Sequence, residues 1–178
     1  MRGIPLSNPR IMLMGHGRHG KGSVCEILTE HYGYSCMSSS EAAGRRFVYP
    51  ALKEFYDTFE DCFADRHNWR PLWAQLIRRY NFNNKARLGS LIFNERDQDV
   101  YDGCRQGDEF NAIKDAGLFD YAIWVDASKR KPMESSESMT VNRSMCDDVI
   151  DNNGPEHALE FNVRACIDGL KFLRSHRQ

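Results

Sequence analysis

Nine residues, Gly15 to Ser23 (GHGRHGKGS), carry four glycines and one lysine between the apolar run IMLMG and the segment VCEILTEHY. Such a stretch is poor helix and poor strand, because glycine loses the most backbone freedom on ordering. It suits a loop that curls with positive φ and turns successive N–H groups inward, toward an anion. A helix beginning at its end would add free N–H groups and a positive dipole end. The spacing Gly15-x4-Gly20-Lys21 is that of the P-loop, in which the lysine reaches the β- and γ-phosphates of a nucleotide. The strict pattern has Ser or Thr directly after the lysine; here Gly22 takes that place and Ser23 follows. Gly15, Gly17, His19, Gly20, Lys21, Gly22 and Ser23 are therefore the expected ATP phosphate-binding set. Solvent is the other surrounding expected for His19 and for His16.

Moving a γ-phosphoryl group requires charge neutralisation and alignment more than covalent chemistry. The chain should then supply cations near two phosphate sites, a carboxylate for Mg2+ and a pocket that closes. Asp102 ends an apolar run and Arg105 follows three residues later; with Lys21 they form the expected catalytic set. Asp102 and Ser23 are the expected metal-holding pair, although a strand-end aspartate also serves as a turn cap. Arg105 otherwise reads as a surface arginine pairing with Asp108 or Glu109.

Arg66 and Arg70 flank Trp69, and arginine's planar fork suits a phosphate. They are the expected grip on an acceptor phosphate; the alternative is a solvated charged face over a core tryptophan. Arg45 and Arg46 give a weaker signal toward the same pocket, while Tyr49, Phe55 and Tyr56 read as core. Arg130 and Arg143 bracket SKRKPMESSES, Ser128 to Ser138, a polar low-complexity stretch expected to be a mobile loop or a lid over the donor phosphates. Asn152 and Asn153, ahead of Gly154, are weak adenine-binding candidates; their other reading is turn and cap chemistry.

These residues need elements to hold them. Arg10–Met14, Tyr34–Met37, Asp99–Asp102, Tyr121–Asp126 and Asp148–Asp151 read as short buried strands. Helical spacing groups Val24, Ile27, Leu28 and His31, and again Leu72, Trp73, Leu76, Ile77 and Tyr80. Asp108 begins a shorter helix that Gly117 ends, and Glu156–Leu173 carries a stripe of Leu159, Val163, Cys166, Ile167 and Leu170. Strands alternating with helices imply βαβ units and a parallel sheet covered on both faces, with ligands at the carboxyl ends of the strands. The fold class is α/β, and one domain over 1–178 is expected. An acceptor-binding helical region spans about 40–96 and a lid about 128–145 of that range.

GKGS resembles the GKG[ST] ending of adenylate-kinase-type loops, found in P-loop kinases that phosphorylate nucleotides or small metabolites. VYDGCRQGDEFNAIKDAG, Val100 to Gly117, resembles the strand–aspartate–arginine–glutamate–helix–glycine segment of bacteriophage deoxynucleoside monophosphate kinases. DRHNWRPLWAQL is similar to the arginine-bearing helix of that family, and the resemblance puts the Asp102 and Arg105 pair on the acceptor side, so that Arg66, Arg70 and Arg105 form the expected acceptor-binding set. DDVIDNNG followed by an amphipathic helix is similar to the ending shared with dephospho-coenzyme A kinases. The resemblance implies a three-layer P-loop kinase fold with a five-stranded parallel sheet flanked by helices. It further implies ATP- and Mg2+-dependent phosphoryl transfer to a (deoxy)nucleoside monophosphate, giving the diphosphate. A dephospho-coenzyme A or other small-metabolite kinase is the second reading; the arginine-bearing segment favours the first. A non-catalytic nucleotide-binding module is the third. NNKAR lacks the aspartate of the guanine-reading N-K-x-D motif.

Composition narrows the partners. With 24 Lys and Arg against 25 Asp and Glu, the net charge of -1 gives no global field for nucleic acid or membrane. The six cysteines stand singly, with no CxxC pair or zinc spacing, and read as free thiols. MRGIPLSNPR lacks the apolar core of a signal peptide and no run reaches transmembrane length, so a cytoplasmic protein is expected, in the host cytoplasm if phage-encoded. The expected partner is a nucleoside monophosphate substrate; oligomeric state stays open, a homodimer included.

Overall fold

The computed structural model describes residues 8–175, so the signal-peptide reading of MRGIPLSNPR falls mainly outside the described residues. β1 (Ile11–Met14) leads through the glycine loop into α1 (Lys21–Tyr32) and then β2 (Cys36–Ser38). A helical region follows: α2 (Ser39–Ala43), a π-helical turn (Gly44–Val48), α3 (Tyr49–Leu52), α4 (Phe59–Asp65), α5 (Arg70–Tyr80), α6 (Arg87–Ser90) and a second π-helical turn (Leu91–Glu95). β3 (Val100–Asp102), α7 (Gly107–Asp115), β4 (Tyr121–Asp126), a short 3-10 turn (Arg143–Met145), β5 (Asp148–Asp151) and α8 (Glu156–Ser175) complete the chain. No helix among the described residues is long and apolar enough to cross a membrane.

The five strands form one all-parallel sheet in the order β2-β3-β1-β4-β5. Residues of β1 alternate between two cores. Ile11 and Leu13 join Val24, Leu28, Leu159, Val163 and Ile167 beneath α1 and α8. Met12 and Met14 join Leu88, Ile92, Phe93, Phe110 and Ile113 on the opposite face. Burial on both faces explains the uninterrupted apolar character of β1 and β4. Complete burial of a residue such as Leu28 or Ile167 contributes about 1.5–3 kcal/mol. A smaller third core, around Ala43, Val48, Cys62 and Trp73, consolidates the helical region between β2 and β3.

The strand order reverses at β1: β3 and β2 lie to one side, β4 and β5 to the other. Open α/β sheets gather ligands beyond the carboxyl end of the strand at such a reversal, and the glycine loop follows that end of β1. Register carries Asp102 to the same edge, since it pairs beside Leu13 of β1 and Ser38 of β2.

Several sequence boundaries shift. β2 starts at Cys36 rather than Tyr34, because Tyr34 belongs to the end of α1: its N–H bonds to Leu28 O while Gly33, at φ 67°, turns the chain. Phe55, expected in the core, is 78% exposed, whereas Tyr49 and Tyr56 do pack against the third cluster. All six cysteines are free.

Candidate functional site

The loop is shaped by backbone geometry that side chains would resist. Gly15 has φ 145°, and a β-carbon there would come within 2.6 Å of the Val125 carbonyl oxygen of β4. Gly20 has φ 98°, and a β-carbon there would stand 2.2 Å from the Asn152 amide nitrogen. Arg18, an exposed residue with φ 64°, makes the turn between them. Gly20 caps α1 without a side-chain bond, and the first turn of that helix holds no acidic residue. The first turn itself therefore brings no negative charge to the positive helix end.

Lys21 folds back over this curl. Its Nζ donates to Gly15 O at 3.0 Å and to His16 O at 3.1 Å. Burial pushes the ammonium below its ordinary pKa and Arg105 adds to that effect, against the opposing pull of Asp102 and Glu134. Asp102 ends β3 nearby. Burial raises its carboxyl above the ordinary range, with Lys21 and Arg105 pulling the other way. Its Oδ1 is buried without a hydrogen-bond partner. Such an orphan acceptor suits a cation, and Mg2+ typically takes one or two carboxylates and completes its shell with water and substrate phosphates. No group of three His, Cys, Asp or Glu able to hold a metal occurs among the described residues. The unpartnered Asp102 oxygen is thus a donor of the kind Mg2+ takes.

Three of the expected residues, Lys21, Asp102 and Arg105, are thus brought together electrostatically. Gly22 and Ser23 are exposed in the first turn of α1. Gly17 stands open enough that its N–H donates to a side chain from far along the chain, Glu134 Oε2, at 2.9 Å. Arg105 Nη1 binds the other oxygen of the same carboxylate. Glu134 escaped notice in the sequence because no local pattern links it to residues 117 and 29 positions away.

The two loop histidines depart from expectation. His19 is fully buried, and His16 is half-buried with its ring edge-on to Trp124 at 5.3 Å. Each accepts a backbone N–H through Nδ1: His19 from Ala127 and His16 from Glu134, both at 3.0 Å. His19 Nε2 also lies 3.4 Å from Pro132 O. The rings therefore join the loop to the end of β4 and to the Ser128–Ser138 segment instead of facing solvent, and the two rings meet edge-on at 5.2 Å. Thr140 N–H donates to Arg105 O at 2.9 Å and Gly107 N–H to Thr140 Oγ1 at 2.8 Å, fastening the far side of the same strap.

The other candidates are engaged elsewhere. Arg130 Nε donates to Asn152 O at 2.8 Å, tying the strap to the turn after β5. Arg143 lies in the 3-10 turn and acts electrostatically on Asp126 at the end of β4. Asn152 is buried; its Nδ2 donates to His19 O at 2.8 Å, and its backbone N–H to Asp126 O. Asn153 accepts from Lys129 N–H and donates to Asp126 O and Asp151 Oδ1. Both amides are thus used in turn chemistry. Arg66 donates to Phe63 O and lies over the Phe63 ring at 4.0 Å; Arg70 meets His67, and the Trp69 indole donates to Asp65. These contacts hold the RHNWR segment in a local helical junction. Arg45 pairs with Glu41 and lies over Phe59, and Arg46 pairs with Glu95.

Behind the site, Tyr101 and Glu109 join β3 to α7. The Tyr101 hydroxyl donates to Glu109 Oε1 at 2.7 Å, and the Asn81 side chain also bonds this carboxyl. Burial drives the Glu109 pKa up to about 7, against the effect of both bonds. This buried junction ties β3, which ends at Asp102, to α7, which follows Arg105.

No protein-family model and no curated protein matches the chain.

Proposed function

We propose that the protein is a P-loop kinase that transfers the γ-phosphoryl group of ATP to a (deoxy)nucleoside monophosphate. The observation that carries this reading is the loop itself. A glycine curl after the central strand leads into a helix end with no side-chain cap, with Lys21 over it and Asp102 and Arg105 nearby. The five-stranded parallel sheet flanked by helices is compatible with that fold.

In the reaction an acceptor phosphate oxygen bonds to the γ-phosphorus while the bond to the β–γ bridging oxygen breaks, and ADP leaves with that oxygen's electron pair. Loop N–H groups and Lys21 take the donor charge. The Arg105 guanidinium bridges donor and acceptor oxygens, where its fork can bind two at once. Asp102 and Ser23 would hold Mg2+, which supplies neutralisation of the β- and γ-phosphate charge. The strap from Ser128 excludes water from the transferring group. The resemblance of DRHNWRPLWAQL assigns the acceptor phosphate to Arg66 and Arg70, which requires both to leave their local partners.

A coupled ADP-release assay with deoxynucleoside and nucleoside monophosphates, plus dephospho-coenzyme A, tests the reading. Turnover of at least one monophosphate above dephospho-coenzyme A is expected. The reverse preference would move the assignment to a dephospho-coenzyme A kinase. ATP binding without turnover of any acceptor would indicate a nucleotide-binding module.

A further inference from the structure

Glu134 reaches from the strap to the glycine loop and to Arg105. Its Oε2 accepts the Gly17 N–H at 2.9 Å, its other oxygen is held by Arg105, and a β-carbon built on Gly17 would touch the carboxyl at 3.4 Å. Loop N–H, guanidinium and a nearby ammonium are the same donor classes that bind a phosphate oxygen. The carboxylate offers them two oxygens and one negative charge. Burial acts to raise its pKa, yet Arg105, the Gly17 N–H and Lys21 together hold it below the ordinary range, so it stays charged.

The attachment of Glu134 differs from that of its neighbours. At one end the strap is fixed by the buried His19, which accepts the Ala127 N–H, and by Arg130 on the turn after β5. At the other it is fixed by Thr140 on the Arg105 carbonyl and by the buried Met139 and Val141. Between these anchors Ser128–Met133 and Ser135–Ser138 are exposed, and Glu134 alone turns inward. The Glu134 carboxylate contacts and the Glu134 N–H bond to His16 are the ones that fasten it. Pro132 O, 3.4 Å from His19 Nε2, is a further contact of the strap between the two anchors.

We propose that Glu134 is a built-in competitor for the phosphate seat, which holds the strap shut on the empty loop and must be displaced for a nucleoside triphosphate to enter. This rests on the P-loop reading and adds a regulated entry step to it. Binding then exchanges one anion for another on the same donors. Free Arg105 and Lys21 never face an open crevice, and the strap moves only when a better anion arrives.

The test measures binding of ATP and of tripolyphosphate by calorimetry to wild-type protein, Glu134→Gln, Glu134→Ala and Glu137→Gln, the last changing an exposed acid of the same strap. Loss of a charged competitor should tighten both ligands about tenfold or more in the two Glu134 variants, and leave Glu137→Gln at the wild-type value. Amide exchange followed by NMR reads the motion in unmodified protein. On saturation with ATP the Glu134 amide should exchange faster, while the Ala127 amide, bonded to buried His19, stays protected. Equal or weaker binding in the Glu134 variants, or a Glu134 amide that becomes more protected, would overturn the competitor role and leave the P-loop reading standing. Failure of every protein, wild type included, to bind either ligand would overturn both.

Discussion

Replacing Glu109 with glutamine tests the junction that spaces the site. The residue is 6% exposed, its carboxyl accepts the Tyr101 hydroxyl, and Asn81, also buried, completes its bonding. Glutamine keeps the shape and the acceptor oxygen but carries no charge. In the fold the carboxyl pKa stands at about 7, against 4.5 when unperturbed. The folded state therefore binds a proton that the unfolded chain releases between these values. Its contribution to stability is fully present below pH 4.5 and is lost as pH rises through 7. At about 1.4 kcal/mol for each tenfold change in proton affinity, the ionised form costs the fold about 3 kcal/mol. Urea unfolding of both proteins from pH 4.5 to 8 measures this. The stability of Glu109→Gln relative to wild type should grow by about 3 kcal/mol over that range, the growth complete by about pH 8. A difference that stays flat with pH would refute the buried neutral acid and the placement of the carboxyl against Tyr101.

Further perturbations address the loop. Lys21→Ala should leave the fold intact and reduce turnover about 100-fold or more, as expected for loss of a preorganised positive charge; full activity in a folded variant would remove the P-loop assignment. Gly15→Ala meets both a φ of 145° and the Val125 carbonyl at 2.6 Å, and should cost about 2–4 kcal/mol in urea unfolding, whereas Gly22→Ala, with nothing within 4 Å, should stabilise α1 by about 0.5–1 kcal/mol; equal effects would contradict the loop geometry. His16 is held below its ordinary pKa by burial first, then by His19, Lys21 and Arg105, with Glu134 opposing. The folded state thus prefers the neutral ring, and stability from this residue is present above pH 6.5 and falls as the solution is acidified through the folded pKa. An NMR titration should place the His16 midpoint below 6.5, with the Glu134 amide shift following it; a midpoint above 6.5 would show that the ring does not accept that N–H.

Much of the scaffold was legible because burial leaves a local record. β4 and β5 match their expected bounds, since strands covered on both faces or ending in acids stand out from their neighbours. α7 begins one residue before expectation, and Gly117, at φ 63°, lies just beyond its end. Tyr34 misled because an apolar residue packing after a helix turn looks like the start of a strand. Lys21, Asp102 and Arg105 were singled out by spacing and strand-end position, and the fold brings them within electrostatic reach of one another. Glu134, buried His19 and the Asn81–Tyr101–Glu109 cluster were not. Their partners lie across the chain, and a lone glutamate or histidine carries no mark of such a partner.

The Asn152 amide fills the space that a side chain at Gly20 would take, and its bond to the His19 carbonyl spans 133 residues. The curve of a loop near the start of the chain is therefore held from near its end. As the chain folds, β1 must already reach across to β3 and β4, and the loop gains this constraint only when β5 docks beside β4. Pairing across so long a separation pays its loop-closure entropy late. Anion affinity should then appear as the last property of a refolding molecule, lagging the helical signal in a stopped-flow experiment with ligand present. Simultaneous recovery of the two would mean that the loop shapes itself.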